Sequence, residues 1–240
     1  GLLEILEKAG FVCNHGQVVT GRQRLDDPGL SEELASLEQE KQQLIRETPG
    51  LESHANLLWV CLEAYPGVLT GRKSHMEVMF PGGSRNLVES IYKGNQSIDY
   101  YNRIVAKMAV NYIGTRQDQA LAEDINILEI GAGTGGTSAF VLEEIKKFSS
   151  RIHYYYTDVS TGFTRHGREK YGAAYPFVKF KVLDIEKNPG KQGLKPGSMD
   201  LVLASNVLNA TRRMQNTLEQ VKWLLKANAV IVINENTHPR

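Results

Sequence analysis

The sequence predicts an α/β protein: a doubly wound parallel sheet preceded by a mostly helical region. Two observations predict it. From residue 126 onward, short apolar runs alternate with segments of helical period, and a glycine-rich stretch, LEIGAGTGG (128–136), joins the first run to the first helix. Residues 1–115, by contrast, read as helical almost throughout. Parallel strands need a crossover of a dozen or more residues between them, and a helix fills it, so this alternation implies a parallel sheet.

The elements follow in order. GLLEILEKAGFV (1–12) places Leu2, Leu3, Ile5, Leu6 and Phe11 at helical spacing, and GQVVTG (16–21) reads as a small hairpin. LSEELASLEQEKQQLIRETPG (30–50) is a charged helix stopped by Pro49-Gly50, with one face in solvent. SHANLLWVCLEAYPGVLTG (53–71) is an apolar helix expected to end at Pro66-Gly67. FPGGSRNLVESIYKGN (80–95) combines a loop with a helix, and SIDYYNRIVAKMAVNYI (97–113) is amphipathic. The strand candidates are NILEI (126–130), IHYYYT (152–157), FVKFKVL (177–183), MDLVLA (199–204) and AVIVINE (229–235). TSAFVLEEIKKF (137–148), TGFTRHGREKYG (161–172) and RMQNTLEQVKWLL (213–225) are the intervening helices. The expected division is a helical subdomain, 1–115, and a sheet-containing core, 116–240.

Composition narrows the function. A net charge of +1 supplies no global field to attract nucleic acid or an anionic membrane, and neither is expected as a partner. No apolar run approaches the roughly 18 residues that span a bilayer, and the N-terminus lacks a signal-peptide pattern. Cys13 and Cys61 are far apart and the six histidines are dispersed, which argues against a disulfide framework or a metal site. The expectation is a cytoplasmic, metal-free protein.

The glycine loop fits two fingerprints. Gly131-x-Gly133-x-x-Gly136 is a dinucleotide loop, whereas Glu129-x-Gly131-x-Gly133-x-Gly135 suits S-adenosylmethionine (SAM). Both use glycine because the ligand lies against the backbone and the turn needs positive φ. A pyrophosphate would sit on the following helix N-terminus, where a carboxylate at Glu129 would repel it. SAM carries instead a cationic amino group that Glu129 can face. Asp158, ending the second strand run, is placed to accept hydrogen bonds from ribose hydroxyls of either ligand. Asp184, just past the third, is placed to receive an adenine amino group. An acid at each of three strand ends favours SAM as the cofactor. A short-chain NAD-dependent reductase is further disfavoured: among the tyrosines from 154 to 175, only Tyr175 has a lysine four residues on, and Lys179 lies in a strand run.

Several ordered blocks resemble the methyltransferase domains embedded in modular polyketide synthases. They are ILEIGAGTGGTSAFVL, YYYTDVSTGF, YPFVKFKVLDIEK and SMDLVLASNVLNATRRMQNTLEQVKWLLK (198–226). Upstream, MEVMFPGGSRNLVESIYKGNQSIDYYN (76–102) resembles the same family's lid-to-core segment. The resemblance covers about 76–237 and implies a Rossmann-like methyltransferase core with residues 1–115 as a helical lid. It also implies a substrate held on the phosphopantetheine arm of an acyl carrier protein, methylated on the α-carbon or on a hydroxyl or enol oxygen. Neighbouring synthase domains are the other implied partners. Arg212 and Arg213 are candidate basic contacts for an acidic carrier protein.

In that family a His–Glu dyad acts as the base. Glu235, in VINENT, matches the glutamate, but the histidine position of the ASNVLxAT block holds Asn209. An amide cannot take a proton at neutral pH, whereas imidazole titrates near it. Three readings stand open. Asn209 positions the acceptor while Glu235 takes the proton, the domain has lost activity and serves as a spacer, or the substitution was introduced to trap a complex. Loss of the imidazole harms carbon chemistry more than oxygen chemistry, so Asn209 tilts the expectation slightly towards an oxygen acceptor. Asn206 is implied to lie beside the methyl donor and reads equally as a loop-capping amide. Tyr92, Tyr100 and Tyr101 either line an acceptor tunnel or pack a core. Sheets of this family have seven strands, and five are counted here up to Arg240.

Overall fold

The structure, a computed structural model, describes residues 2–16, 18–21, 28–84, 86–92, 96–118 and 124–236. They form two compact units, Gly1–Trp59 and Val60–Arg240. The first unit holds α1 (Leu2–Lys8), an antiparallel hairpin of β1 (Val12–Asn14) and β2 (Val19–Gly21), α2 (Pro28–Glu47) and the start of α3 (Glu52–Leu69). In the hairpin Cys13 stands opposite Thr20. Lys41 of α2 lies 4.9 Å from the ring centroid of Trp59 in α3.

The second unit begins within α3, and here one expectation is corrected. The helix does not end at Pro66-Gly67 but runs through Pro66 to Leu69. Proline removes one intrahelical hydrogen bond, while its own carbonyl stays satisfied, accepting from the Thr70 hydroxyl at 2.5 Å. The chain turns out only at Gly71, whose φ of 71° lies in the left-handed region. There follow α4 (His75–Met79), α5 (Asn86–Tyr92) and α6 (Gln96–Asp118). Ser74 caps α4, its hydroxyl accepting from the Met76 N–H at 3.2 Å. Of the expected 80–95 segment, residues 85 and 93–95 lie outside the described residues, as does the side chain of Tyr92.

The rest alternates as the pattern predicts: β3 (Ile125–Ile130), α7 (Gly136–Ile145), β4 (Ile152–Asp158), α8 (Thr161–Tyr171), β5 (Val178–Val182), β6 (Met199–Ser205), α9 (Met214–Leu224) and β7 (Leu225–Asn234). The five strands form a parallel sheet in the order β5-β4-β3-β6-β7. This is the Rossmann-like, doubly wound sheet.

Strand alternation sends the two faces into separate cores. Ile125, Ile127, Tyr154, Tyr156, Leu201 and Leu203 pack with the buried stripes of α6 (Val105, Ala109, Ile113) and α7 (Val141, Leu142, Ile145). Leu128, Ile130 and Val202 pack on the other face with Val221 and Leu224 of α9. The buried stripe of α6 shares one core with α7 and the sheet, and residues from Val60 onward form one unit with it.

Chain order reverses at β3: β4 and β5 lie to one side of it, β6 and β7 to the other. A crevice opens at the carboxyl ends of strands at such a switch point, which fixes where a ligand can enter. Among the described residues no helix is long and apolar enough to cross a membrane.

At the opposite end of the sheet Asp200, 1% exposed, gathers three elements. Its carboxylate accepts from the Asn126 N–H at 2.9 Å and pairs with Lys226 at 2.9 Å and Arg116 at 3.4 Å. Replacing Asp200 with Asn removes the charge from a buried, hydrogen-bonded site. It is expected to lower unfolding stability by about 2 kcal/mol, read as a lower urea midpoint with an unchanged slope.

Candidate functional site

The glycine loop leaves β3 at the switch point, and its backbone can be followed residue by residue. Gly131, Gly133 and Gly135 all adopt positive φ (61°, 57° and 77°). At Gly131 a Cβ would lie 2.2 Å from Val207 Cγ2, and at Gly135 one would lie 2.6 Å from the Tyr171 ring, so only glycine fits either place. At Gly133 nothing crowds the position, the nearest atom being the Gly131 carbonyl oxygen at 3.9 Å. Backbone there is open to a ligand.

The loop is held from outside by β4 and α8. Asp158 Oδ2 accepts from the Gly133 N–H at 3.0 Å, and the Tyr156 hydroxyl donates to the Gly133 carbonyl at 2.8 Å. The Tyr171 hydroxyl donates to the Gly135 carbonyl at 2.7 Å. Lys170 donates to the Thr134 carbonyl at 3.3 Å and also pairs with Glu89 of α5, which ties that helix to the loop.

Inside this frame lies a cavity of about 210 Å³. Its walls include Glu129, Gly131, Gly133 and Thr134 from β3 and the loop, Thr137 from α7, and Ser205 and Asn206 from the end of β6. Val88 of α5, Ile98 and Asn102 of α6, and Phe163 of α8 complete it. Ser205 Oγ is buried there without a hydrogen-bond partner among the described residues.

Glu129 is the acid of the cavity. It is 3% exposed, and its Oε2 accepts from the Ser138 hydroxyl at 2.6 Å and the Tyr154 hydroxyl at 2.8 Å. Burial pushes its pKa up to about 7, against the lowering effect of those two donors, and Asp158 nearby adds to the rise. Burial also raises Asp158, opposed by the N–H groups of Ser160 and Gly133.

The expected site residues separate into groups. Glu129, Gly131, Gly133 and Asn206 line one cavity. Asp158 stands behind the loop, bonded to it. Gly135 faces a second cavity of about 470 Å³, shared with Glu89, Arg103 and Lys170. Asp184 lies after β5, accepting from the Glu186 N–H at 3.1 Å and paired with Lys187 at 2.9 Å. Tyr101 is 54% exposed and meets Tyr100 edge-on at 5.4 Å, outside the cavity walls.

Beyond Asn206 the chain enters the Asn209 loop. Asn206 itself sits at φ 50°, its N–H donating to the Asn234 carbonyl at 2.8 Å and its Oδ1 accepting from the Asn236 N–H at 3.2 Å. It both lines the cavity and fastens the end of β7. Glu235 Oε1 accepts from the N–H groups of Val207 and Leu208 at 2.9 and 2.7 Å. Its Oε2 is buried with no hydrogen-bond partner among the described residues. Asn209 follows at once and is exposed. Arg212 and Arg213 follow shortly after and are exposed, the Arg212 N–H donating to Glu186 at 2.6 Å. No group of His, Cys, Asp and Glu suited to a metal occurs among the described residues.

Sequence reasoning missed Asn102, Thr137, Ser138 and Tyr154. A signal for Asn102 existed: it shares the helical stripe of Val105, Ala106, Ala109 and Ile113, and a polar residue in line with a buried stripe marks a special environment.

Residues 128–231 match the methyltransferase domain family. Polyketide synthase PksR of Bacillus subtilis is 39% identical over 187 residues, covering 78% of this chain and 7% of the synthase. The crystal structure of the DszA carbon methyltransferase superposes with a TM-score of 0.84 at 40% identity, covering 99% of this chain and 59% of that one. The trans-methyltransferase CalH, solved as a complex with SAH, gives 0.65 at 28% identity over 85% of this chain and 53% of that one. The chain thus spans a small fraction of the curated synthase and somewhat more than half of each solved relative.

A carboxyl that protonates more readily folded than unfolded stabilises the fold fully below the ordinary value of 4.5. That contribution is lost as pH rises through about 7. Glu129→Gln, fixed in the neutral form, should therefore gain on the parent chain between pH 4.5 and 8. The gain should reach about 3 kcal/mol at roughly 1.4 kcal/mol per unit, measured by urea unfolding. A difference independent of pH would show that Glu129 titrates normally.

Proposed function

The chain is a SAM-dependent methyltransferase domain of the kind built into polyketide synthases, and from that premise we propose that it methylates the α-carbon of an acyl chain borne on an acyl carrier protein. The observation that carries the cofactor reading is the buried acid Glu129 in a cavity whose glycine loop is open at Gly133. SAM supplies an electrophilic methyl group on a sulfonium. Glu129 faces its amino group, Asp158 serves the ribose from behind Gly133, and Asp184 takes the adenine amino group. Val88 of α5, with Ile98 and Asn102 of α6, covers the cavity and keeps water from the reacting atoms.

For the acceptor atom, two observations outweigh the pull of Asn209 towards oxygen. DszA, at 40% identity, is a carbon methyltransferase. Glu235, anchored through one oxygen by two backbone N–H groups, keeps its other oxygen buried and without a hydrogen-bond partner among the described residues. An unpaired buried carboxylate oxygen is costly unless a partner arrives to use it. In this reading the α-proton of a β-keto thioester passes to Glu235, the α-carbon bonds to the methyl group, and the carbon–sulfur bond breaks with its electrons on sulfur. Asn209 holds the acceptor from the neighbouring loop. Arg212 and Arg213 meet the acidic carrier protein, and adjoining synthase domains present it.

Mass spectrometry of paired β-keto and β-hydroxyacyl carrier proteins, incubated with the chain and SAM, tests this. The expected product is the α-methyl-β-keto chain, with the alcohol untouched. Asn209→His should raise the rate at least about tenfold, the low end of what a positioned general base contributes. Methylation of the hydroxyl alone would reverse the acceptor assignment. Cofactor binding without transfer by either chain would make the domain a spacer.

A further inference from the structure

The two helices over the cavity are fastened differently. α6 buries Val105, Ala109 and Ile113 in the core, whereas no residue of α5 from Asn86 to Ile91 is fully buried. A helix of seven residues does not hold its shape alone in water, so α5 keeps its place by what it docks against. Val88 lines the cavity but is only partly buried. The Ser90 hydroxyl bonds within its own turn, to the Leu87 carbonyl at 2.9 Å. Among the described residues, Glu89 is the one side chain of α5 with a hydrogen bond or ion pair to another element. Both of its oxygens face α8: Oε1 pairs with Lys170, and Oε2 lies 3.8 Å from His166, one turn earlier.

Lys170 has a second contact. An ammonium carries three donor hydrogens, and beyond the Glu89 carboxylate this one donates to the Thr134 carbonyl at 3.3 Å. The next residue, Tyr171, donates to the next carbonyl of the loop, that of Gly135. A single charged group therefore joins α5 to the glycine loop. The Lys170 and Glu89 side chains are 25% and 19% exposed, so the pair is sheltered yet open to water when it parts. Upstream, Phe80 meets Phe163 of α8 edge-on at 6.1 Å, and the chain then turns at Gly82 with φ 60°. The segment is pinned at Phe80 and clasped at Glu89. An element with little buried apolar surface can open without disturbing the core, and moving covers are drawn from such elements.

We propose that Lys170 is a positioning residue that clasps α5 over the cavity, and that parting of Glu89 from it is the step that admits and discharges the cofactor. The proposal rests on the cofactor reading above in one respect, that the cavity under α5 is the cofactor's. The experiment separates the two. Association and release of radiolabelled S-adenosylhomocysteine are timed by rapid filtration, and amide exchange over 86–92 is followed by mass spectrometry.

Glu89→Gln keeps the shape of the side chain and leaves Lys170 on the Thr134 carbonyl while removing the charge. It should quicken association, release and amide exchange together, each by roughly fivefold to tenfold, the effect of losing a partly exposed, charged hydrogen bond. A damaged site would quicken release alone, so the paired change in rates marks an opened cover. Lys170→Met, which also frees the Thr134 carbonyl, should act at least as strongly. The double variant should match Lys170→Met, because both changes break the same pair. Additive effects, release that quickens without association, or unchanged rates or exchange would each overturn the clasp while the cofactor site stands. A parent chain that binds no S-adenosylhomocysteine would overturn both.

Discussion

Glu129 leaves β3 inside the core, and a carboxyl there must be hydrogen-bonded, neutral or both. Its two donors come from different elements: Tyr154 from the neighbouring strand β4 and Ser138 from the first turn of α7. Meeting both fixes α7 against β3 and dictates the path of the loop between them. That path is tight enough to require glycine at 131, under Val207, and at 135, under Tyr171. Each tyrosine in turn closes on the loop by its hydroxyl, Tyr156 at Gly133 and Tyr171 at Gly135. The shape of the cavity follows from satisfying one buried acid.

The same network reaches the helices that precede the sheet. Lys170 of α8 holds the Thr134 carbonyl and the Glu89 carboxylate together, one residue from Val88 in the cavity wall. His166, a turn earlier on α8, lies 3.8 Å from the same carboxylate. Lys170 and Glu89 are partly buried, so their attraction is less screened than that of a surface pair. Asn102 joins α6 to α7 through Thr137 in like manner. The roof of the cavity is thereby positioned by the loop it covers.

The five strands were legible because a parallel sheet buried on both faces reads as near-continuous apolar runs, and each run proved to be a strand within a few residues. The loop was legible because positive φ and close backbone approach leave a glycine spacing. Pro66 misled because the helix runs on to Leu69 although the proline lacks the N–H that would reach the Leu62 carbonyl. Tyr154 and Tyr156 looked like generic strand residues: alternation predicts that they share a face, not that their hydroxyls end on Glu129 and on the loop. Asp158 was placed at the right strand end, but its hydrogen bond to Gly133 depends on how the loop folds back, which no spacing records. Asn102 belongs to a segment whose period is read for packing, so its amide was hidden by its apolar neighbours.

In the proposed reading, an amide at position 209, where the family resemblance implies an imidazole, constrains the substrate more than the fold. Carboxylates as a class are weaker bases than imidazole by about two pKa units. The deficit must be met by acidity in the acceptor. A thioester with a second carbonyl at the β-position spreads the developing charge over two oxygens, whereas a saturated or hydroxylated chain cannot. Positioning compensates for part of the remainder, because a reaction between held partners needs less from its base. Glu235 is held in just this sense, through the Val207 and Leu208 N–H groups on the loop that also carries Asn209. In the proposed reading, the anchoring of Glu235 and the acidity of a β-keto acceptor together take the place of the histidine that the family resemblance implies.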